Sequence, residues 1–383
     1  MEKRMAESTR SKVSRNKKDI IIKLPGNIHE KILGLLPVQD AWIPVFSRNS
    51  IKQLTLEDFN LGEFTALHFS SLDLTHLRPI SFWFSYTSAS GGFTFLTNLE
   101  LIDFEISKQC IFDCRVLEKL TLVTCTGLSH TNFHAPNLKC LHQMCYQISL
   151  LGFEDLGLEN LKEFSCGLCY CYVEPSETSN LVKVFRSLYR TEKIYIAMNF
   201  IRYLAAGGSP NKLSKPLPYL KTLDISEVNF LELNEITCLL CLVRSAPNLC
   251  KLNISAEMYI DLSIYDDHLE NYWVEDFEGF SIDRLEIVTF SYFRGLRAEL
   301  ELVKFLLAHA PLLKTMFIHR SKAVKKDVSL MIAEEMLQYT RASSRAQIRY
   351  LEQPAAINVF ESFSDYVKIF CSQLLAQSSL GLT

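Results

Sequence analysis

No apolar run in this 383-residue chain approaches the roughly 20 residues a membrane helix needs, so no membrane partner is expected. Residues 1–18 mix Arg, Lys, Glu and Ser and lack the apolar stretch of a secretory signal. A charge excess is missing as well. At a net charge of -3 the chain has no overall attraction for phosphate backbones, and nucleic acid is not an expected partner. Phosphate-binding loops, nucleophile elbows and paired metal-carboxylate motifs are also absent. Gly207-Gly208, set between Leu204-Ala-Ala and Ser209-Pro210, marks a turn and not a phosphate cradle. The expectation is a non-catalytic binding protein without a cofactor, placed in cytoplasm or nucleus. The twelve cysteines, in a chain without an export signal, then read as reduced thiols.

What the chain does contain is an internal repeat. The spacing L-x-x-L-x-L recurs at Leu96, Leu99, Leu101, at Leu117, Leu120, Leu122, at Leu220, Leu223, Ile225 and at Leu249, Leu252, Ile254. Weaker copies stand at Ile51, Leu54, Leu56, at Phe69, Leu72, Leu74, at Leu138, Leu141, at Leu161, Phe164, Cys166, at Ile282, Leu285, Ile287 and at Leu313, Met316, Ile318. In a strand the side chains alternate faces, so the last two apolar residues of each copy share a core. Cys125 falls where the leucine-rich consensus turns the chain off its strand. Between strands the period becomes helical, at 180–188, 232–244 and 299–309. Three related phrases, His134-Ala-Pro-Asn-Leu138, Ser245-Ala-Pro-Asn-Leu249 and His309-Ala-Pro-Leu-Leu313, use proline to close one element before the next strand opens. One strand cannot bury its apolar face alone. The fold class predicted is therefore α/β, a leucine-rich-repeat solenoid with a curved parallel sheet and helices on its convex side.

The residue between the two core positions of each strand faces the concave side. This predicts Thr55, Asp73, Glu100, Thr121, Asp224 and Asn253 as partner-binding residues, with Phe82, Trp83, Tyr86 and Phe93 as aromatic cover. Their mixed polarity suits a protein partner of unknown identity. Metal-type residues also cluster, at His130, His134, Cys140, His142 and Cys145, and at Cys166, Cys169 and Cys171. Neither group has a matching second pair, and Cys238-Leu-Leu-Cys241 lies on a helical pattern where Cys serves as a small hydrophobe. All three read as structural, with no metal site. A metal-dependent enzyme built on the Cys and His cluster is a third class, and it would carry bound zinc.

The order of segments resembles the plant F-box, leucine-rich-repeat and FBD proteins. The F-box resemblance is carried by Leu24-Pro25, Ile28, Glu30-Lys31-Ile32-Leu33, Leu35-Leu36-Pro37 and Asp40-Ala41. The FBD resemblance runs from about Ile282 to Leu351, through Phe293-Arg-Gly295, the Glu299 to Leu307 helix pattern, Ala310-Pro311-Leu312-Leu313 and Arg341-Ala-Ser343. The resemblance implies the substrate-recognition component of an SCF cullin ubiquitin ligase. Leu24, Pro25, Ile28, Ile32, Leu35, Leu36 and Pro37 would then meet the SCF adaptor subunit and, through it, the cullin complex.

The F-box pattern stops early. After Asp40-Ala41 comes Trp42-Ile-Pro44, and Pro44 has no N–H for the first hydrogen bond of the helix the family places there. Val45 to Arg48 is either a worn remnant of the family's L-S-R stretch or part of the repeat domain. The surviving amphipathic helix either docks on the adaptor or covers the end of the solenoid. The alternative function is thus an interaction scaffold, or an inactive F-box copy, that binds a partner without the adaptor. The organisation expected is a basic tail over 1–19, a partial F-box over 20–44, repeats over 45–280, an FBD segment continuing the solenoid over 281–352 and a tail over 353–383. An acidic insertion is expected at Asp266 to Glu278, and a further helix at Phe360 to Leu375.

Overall fold

The structure, a computed structural model, describes residues 52–56, 73–84, 93–106, 110–127, 131–145, 158–168, 180–258 and 280–354. Among them twelve strands form one sheet in chain order, each parallel to the next. They are β1 (Gln53–Leu56), β2 (His76–Phe84), β3 (Asn98–Ile106), β5 (Lys119–Val123), β7 (Cys140–Cys145), β8 (Glu163–Leu168), β9 (Lys193–Met198), β10 (Thr222–Val228), β11 (Lys251–Ala256), β12 (Ile287–Phe293), β13 (Thr315–Arg320) and β14 (Gln347–Glu352). A second parallel pair is formed by β4 (Cys110–Asp113) and β6 (Thr131–His134). The basic tail, the partial F-box with all seven candidate adaptor residues, the acidic insertion and the C-terminal helix pattern lie outside the described residues.

The leucine spacing makes the sheet by register. Leu54, Leu77, Leu99, Leu120, Leu141, Phe164, Ile194, Leu223, Leu252, Val288 and Met316 form one buried row across eleven neighbouring strands. Two residues on, a second row includes Leu122, Cys166, Ile196, Ile225, Ile254, Phe290 and Ile318, all of them buried. Each buried large apolar side chain contributes about 1.5–3 kcal/mol, and only stacking gives every strand a covered face.

Two weak copies of the repeat are corrected by this register. The second strand is built on Leu74 and Leu77, not on Leu72 and Leu74, so Asp73 precedes β2 and leaves the concave face. It sits instead at the sheet's end, 3.7 Å from Lys52. Likewise β12 places Val288 and Phe290 inside, while Ile287, expected inside, stands beside Lys251 and Thr315 on the concave side.

Five strands, β3, β5, β9, β10 and β12, end alike. Asp103, Thr124, Met198, Glu227 and Tyr292 all take positive φ, between 50° and 59°, two residues past the second core position. That conformation costs a non-glycine residue about 1–2 kcal/mol, and here it turns the chain from the sheet toward the convex side. The next residue ties the turn to the preceding repeat: Cys125 Sγ donates to the Leu101 carbonyl at 3.3 Å and Asn199 Nδ2 to that of Leu168 at 3.3 Å. A second set of ties precedes the strands. Asn137, Asn160 and Asn248, each just before a first leucine, donate to the carbonyls of Arg115, Pro136 and Pro218. The asparagine of the Ala-Pro-Asn phrase is therefore a link between repeats.

Helices line the convex side from residue 180 onward: α1 (Asn180–Phe185), α2 (Phe200–Ala205), α3 (Leu233–Ser245), α4 (Arg297–His309) and α5 (Lys326–Leu337). The three helical patterns of the sequence correspond to α1, α3 and α4. Earlier in the chain the convex side carries β4 and β6. From Leu120 to Leu141 the repeat is too short for a helix of three turns, whereas Leu223 to Leu252 accommodates all of α3.

Candidate functional site

On the concave side the residues between the core positions form one continuous row. From β1 to β14 it reads Thr55, Arg78, Glu100, Thr121, His142, Ser165, Tyr195, Asp224, Asn253, Thr289, Phe317 and Arg349. Five of the six residues expected from the sequence lie on it: Thr55, Glu100, Thr121, Asp224 and Asn253. The sixth, Asp73, is replaced by Arg78, whose Nε stands 3.5 Å from Glu100. His142, Ser165, Tyr195, Thr289, Phe317 and Arg349 were missed as concave residues, although the same rule finds Ser165 between Phe164 and Cys166, Tyr195 between Ile194 and Ile196 and Phe317 between Met316 and Ile318. Phe93 packs in the core against Phe112 at 6.5 Å, so it is no cover for a concave pocket. Of Phe82, Trp83 and Tyr86 the side chains lie outside the described residues.

The middle of the row is enclosed. Thr121 and Ser165 reach no water, and Asp224 is 3% exposed. Burial pushes the Asp224 carboxyl up to about 6, a rise moderated by Asn253 Nδ2 donating at 2.9 Å and by the Lys251 charge. Burial, with the nearby Glu163 and Asp224 charges, likewise pushes the Tyr195 phenol up to about 12. His142 moves the other way. Its burial, with help from Lys119, lowers it to about 4, so at neutral pH it is an uncharged ring 3.8 Å from Glu163. A charged pair is not formed there. The centre of the face thus holds the Asp224 carboxyl among hydrogen-bonding groups, flanked by Lys119, Lys193 and Lys251, two residues before Thr121, Tyr195 and Asn253 in β5, β9 and β11. Toward β14 it becomes aromatic and cationic, with the Arg349 guanidinium 5.6 Å over the Phe317 ring and the His319 ring nearly parallel to that of Phe317 at 6.5 Å.

Among the described residues no three His, Cys, Asp or Glu side chains are grouped to share a metal ion. Cys145 and Cys166 are core thiols, the first pushed up to about 12 by burial and the second well above its ordinary value. Cys238 and Cys241 are packed inside α3. His134 lies in β6, in the separate two-stranded sheet, and is exposed, whereas His142 is buried in the main sheet. His130, Cys169 and Cys171 lie outside the described residues. No described helix is long and apolar enough to cross a membrane.

The strand, helix and strand that end the sheet carry the most specific local chemistry. Glu299, in the first turn of α4, folds back so that Oε2 accepts N–H bonds from Arg294 at 2.8 Å, Gly295 at 2.7 Å and Leu296 at 3.0 Å. Glu235 in α3 does the same for Asn229 at 2.9 Å and also meets Arg202 Nε at 3.2 Å. Gly295 holds φ at +80°, and a Cβ there would overlap Ile332 of α5. The FBD family matches residues 282–318, which span β12, α4 and most of β13. An F-box/FBD/LRR-repeat protein of Arabidopsis thaliana is 31% identical over 330 residues, covering 82% of this chain and 77% of the relative.

The chain belongs to the F-box/FBD/LRR-repeat family. No solved structure matches it. In this family member the FBD match is no separate body, because β12 pairs with β11 and β13 with β12 in the register used throughout the sheet. Glu299 and Gly295 are the residues that shape its strand-to-helix turn.

Proposed function

We propose that this F-box/FBD/LRR-repeat protein is the substrate-recognition component of an SCF cullin ubiquitin ligase, holding a protein target on its concave face. The observation that carries the reading is the unbroken row from Thr55 to Arg349. It offers the part-exposed Tyr195 and Asn253 in the middle and the aromatic and cationic Phe317 and Arg349 at one end, the side-chain types that anchor protein interfaces. The link to ubiquitin rests on the F-box pattern Leu24 to Ala41 and on family membership. Leu24, Pro25, Ile28, Ile32, Leu35, Leu36 and Pro37 are assigned to the adaptor. Co-precipitation with the SCF adaptor subunit tests this, with a Leu24→Ala, Ile28→Ala, Leu36→Ala variant as control. Adaptor recovered with the wild type but not with the variant supports the reading; equal recovery refutes adaptor recruitment.

A second reading is favoured by the short distance between the end of that pattern and the first strand. Only residues 42–52 separate Ala41 from Gln53, which is already paired with His76. Under this reading the chain binds its partner without recruiting a ligase. Retained partner binding with no partner turnover separates it from the first.

A further inference from the structure

The middle of the concave face is closed, and its end over β11 to β14 is open. Thr121, His142, Ser165 and Asp224 are buried, whereas the two concave rows that run from Lys251 to Gln347 and from Asn253 to Arg349 reach solvent at every strand. Lys251 and Arg349 stand exposed at opposite corners of this open area, with Ile287 and Phe317 half-buried between them. No carboxylate belongs to either row there. Ile287 and Phe317 both lie within the FBD match. The neighbouring edge of the sheet treats its charges differently. One residue before the outer concave row, Lys139 meets Glu118 at 2.6 Å, Lys221 meets Glu192 at 2.9 Å and Lys314 meets Glu286 at 2.6 Å. Lys251 and Arg349 have no ion-pair partner among the described residues, although the chain holds 43 acidic residues against 40 Lys and Arg. The Arg349 guanidinium lies only on the Phe317 ring, and Asp224, whose carboxyl feels the Lys251 charge, is 3% exposed and bonded to Asn253.

The spacing of the two cations selects what can lie across them. Strands stand about 4.8 Å apart and rise about 3.3 Å per residue, so three strand steps and two residues separate Lys251 from Arg349 by roughly 16 Å. That is too far for one phosphate to meet both, and an extended chain crosses it in about five residues. We propose that the open area over β11 to β14 is the target-docking surface and takes an extended acidic protein segment, with one carboxylate at Lys251, a second at Arg349 and an apolar side chain between them on Ile287 and Phe317. This rests on the concave face being the surface that holds the target, and it adds the chemistry of the segment held. Phe317 beneath the Arg349 guanidinium pairs an aromatic with an arginine, the two side-chain types that most often anchor an interface. Asn253 and Thr289, half-buried beside them, supply hydrogen-bonding groups for the segment's backbone.

Fluorescence anisotropy on the full chain tests this with a short labelled peptide that carries a glutamate pair at each end and Leu-Phe at its centre. Wild type should bind it saturably. The same peptide with glutamine in place of glutamate should bind roughly tenfold more weakly, and Lys251→Glu with Arg349→Glu should weaken the acidic peptide by a similar factor. Phe317→Ala should weaken both peptides. Lys322→Glu with Lys325→Glu, at exposed cations between β13 and α5, is the control and should leave the affinity unchanged. Circular dichroism melts check that each variant is folded. Four results overturn the inference: no saturable binding of the acidic peptide, equal binding of the neutral one, an affinity untouched by the charge reversal, or inorganic polyphosphate bound more tightly than the peptide and lost in the same variant. A neutral peptide held through Phe317 would keep the concave face as the target surface while removing the acidic chemistry. Adaptor co-precipitation by these variants, in which Leu24 to Pro37 are intact, reads ligase coupling separately.

Discussion

Replacing Glu299 by alanine removes one acceptor that serves three buried or half-buried N–H groups, those of Arg294, Gly295 and Leu296. No other bond to these three amides occurs among the described hydrogen bonds. A bond to a charged group is worth about 1.5–3 kcal/mol and a neutral one about 0.5–1.5 kcal/mol. Because the three donors share Oε2, the sum is less than three full bonds, and a loss of about 3–5 kcal/mol at pH 8 is expected. That corresponds to a fall of roughly 6–15 °C in melting temperature followed by circular dichroism. Glu299→Gln keeps an oxygen in place and should cost about 1 kcal/mol or less. Hydrogen exchange at Arg294, Gly295 and Leu296 should accelerate in the alanine variant and much less in the glutamine variant. An alanine variant melting within about 1 °C of wild type would refute the reasoning, as would equal losses in the two variants.

Three further outcomes follow from the same packing. Burial raises the Glu299 carboxyl from 4.5 to about 7, so the folded state holds a proton that the unfolded chain releases. Its contribution is complete below pH 4.5 and is lost as pH rises through about 7, and the melting temperature of wild type relative to Glu299→Gln should fall across that window; a constant difference would contradict it. Gly295→Ala should destabilise by about 2 kcal/mol or more, since it adds a disfavoured φ to a clash with Ile332, and a melt unchanged from wild type would show that the turn relaxes freely. Gln143 occupies a core position in β7 with its Oε1 unpartnered, so Gln143→Leu should stabilise by about 1–3 kcal/mol in urea denaturation, and a loss of stability would mean that the amide has a role beyond packing.

The sequence by itself determined that the chain repeats, that its strands are parallel and that two of its helices, α3 and α4, end at proline phrases. These follow from short-range chemistry: alternation on a strand, helical spacing and the missing proline N–H are fixed within a few residues. Five concave positions were legible for the same reason. Only the tertiary structure decided register where two readings fit the local pattern. Phe69, Leu72 and Leu74 satisfy the spacing, but the strand is aligned by Leu77 lying between Leu54 and Leu99, and the five-residue shift turns Asp73 off the face and Arg78 onto it. An odd shift exchanges the two faces of a strand, which is also why Ile287 left the core and Val288 entered it. Burial of the concave centre was likewise invisible in sequence. Thr121, Ser165 and Asp224 are polar residues on a nominally open face, and it is the packing of neighbouring strands, twenty to thirty residues away in the chain, that takes them out of water.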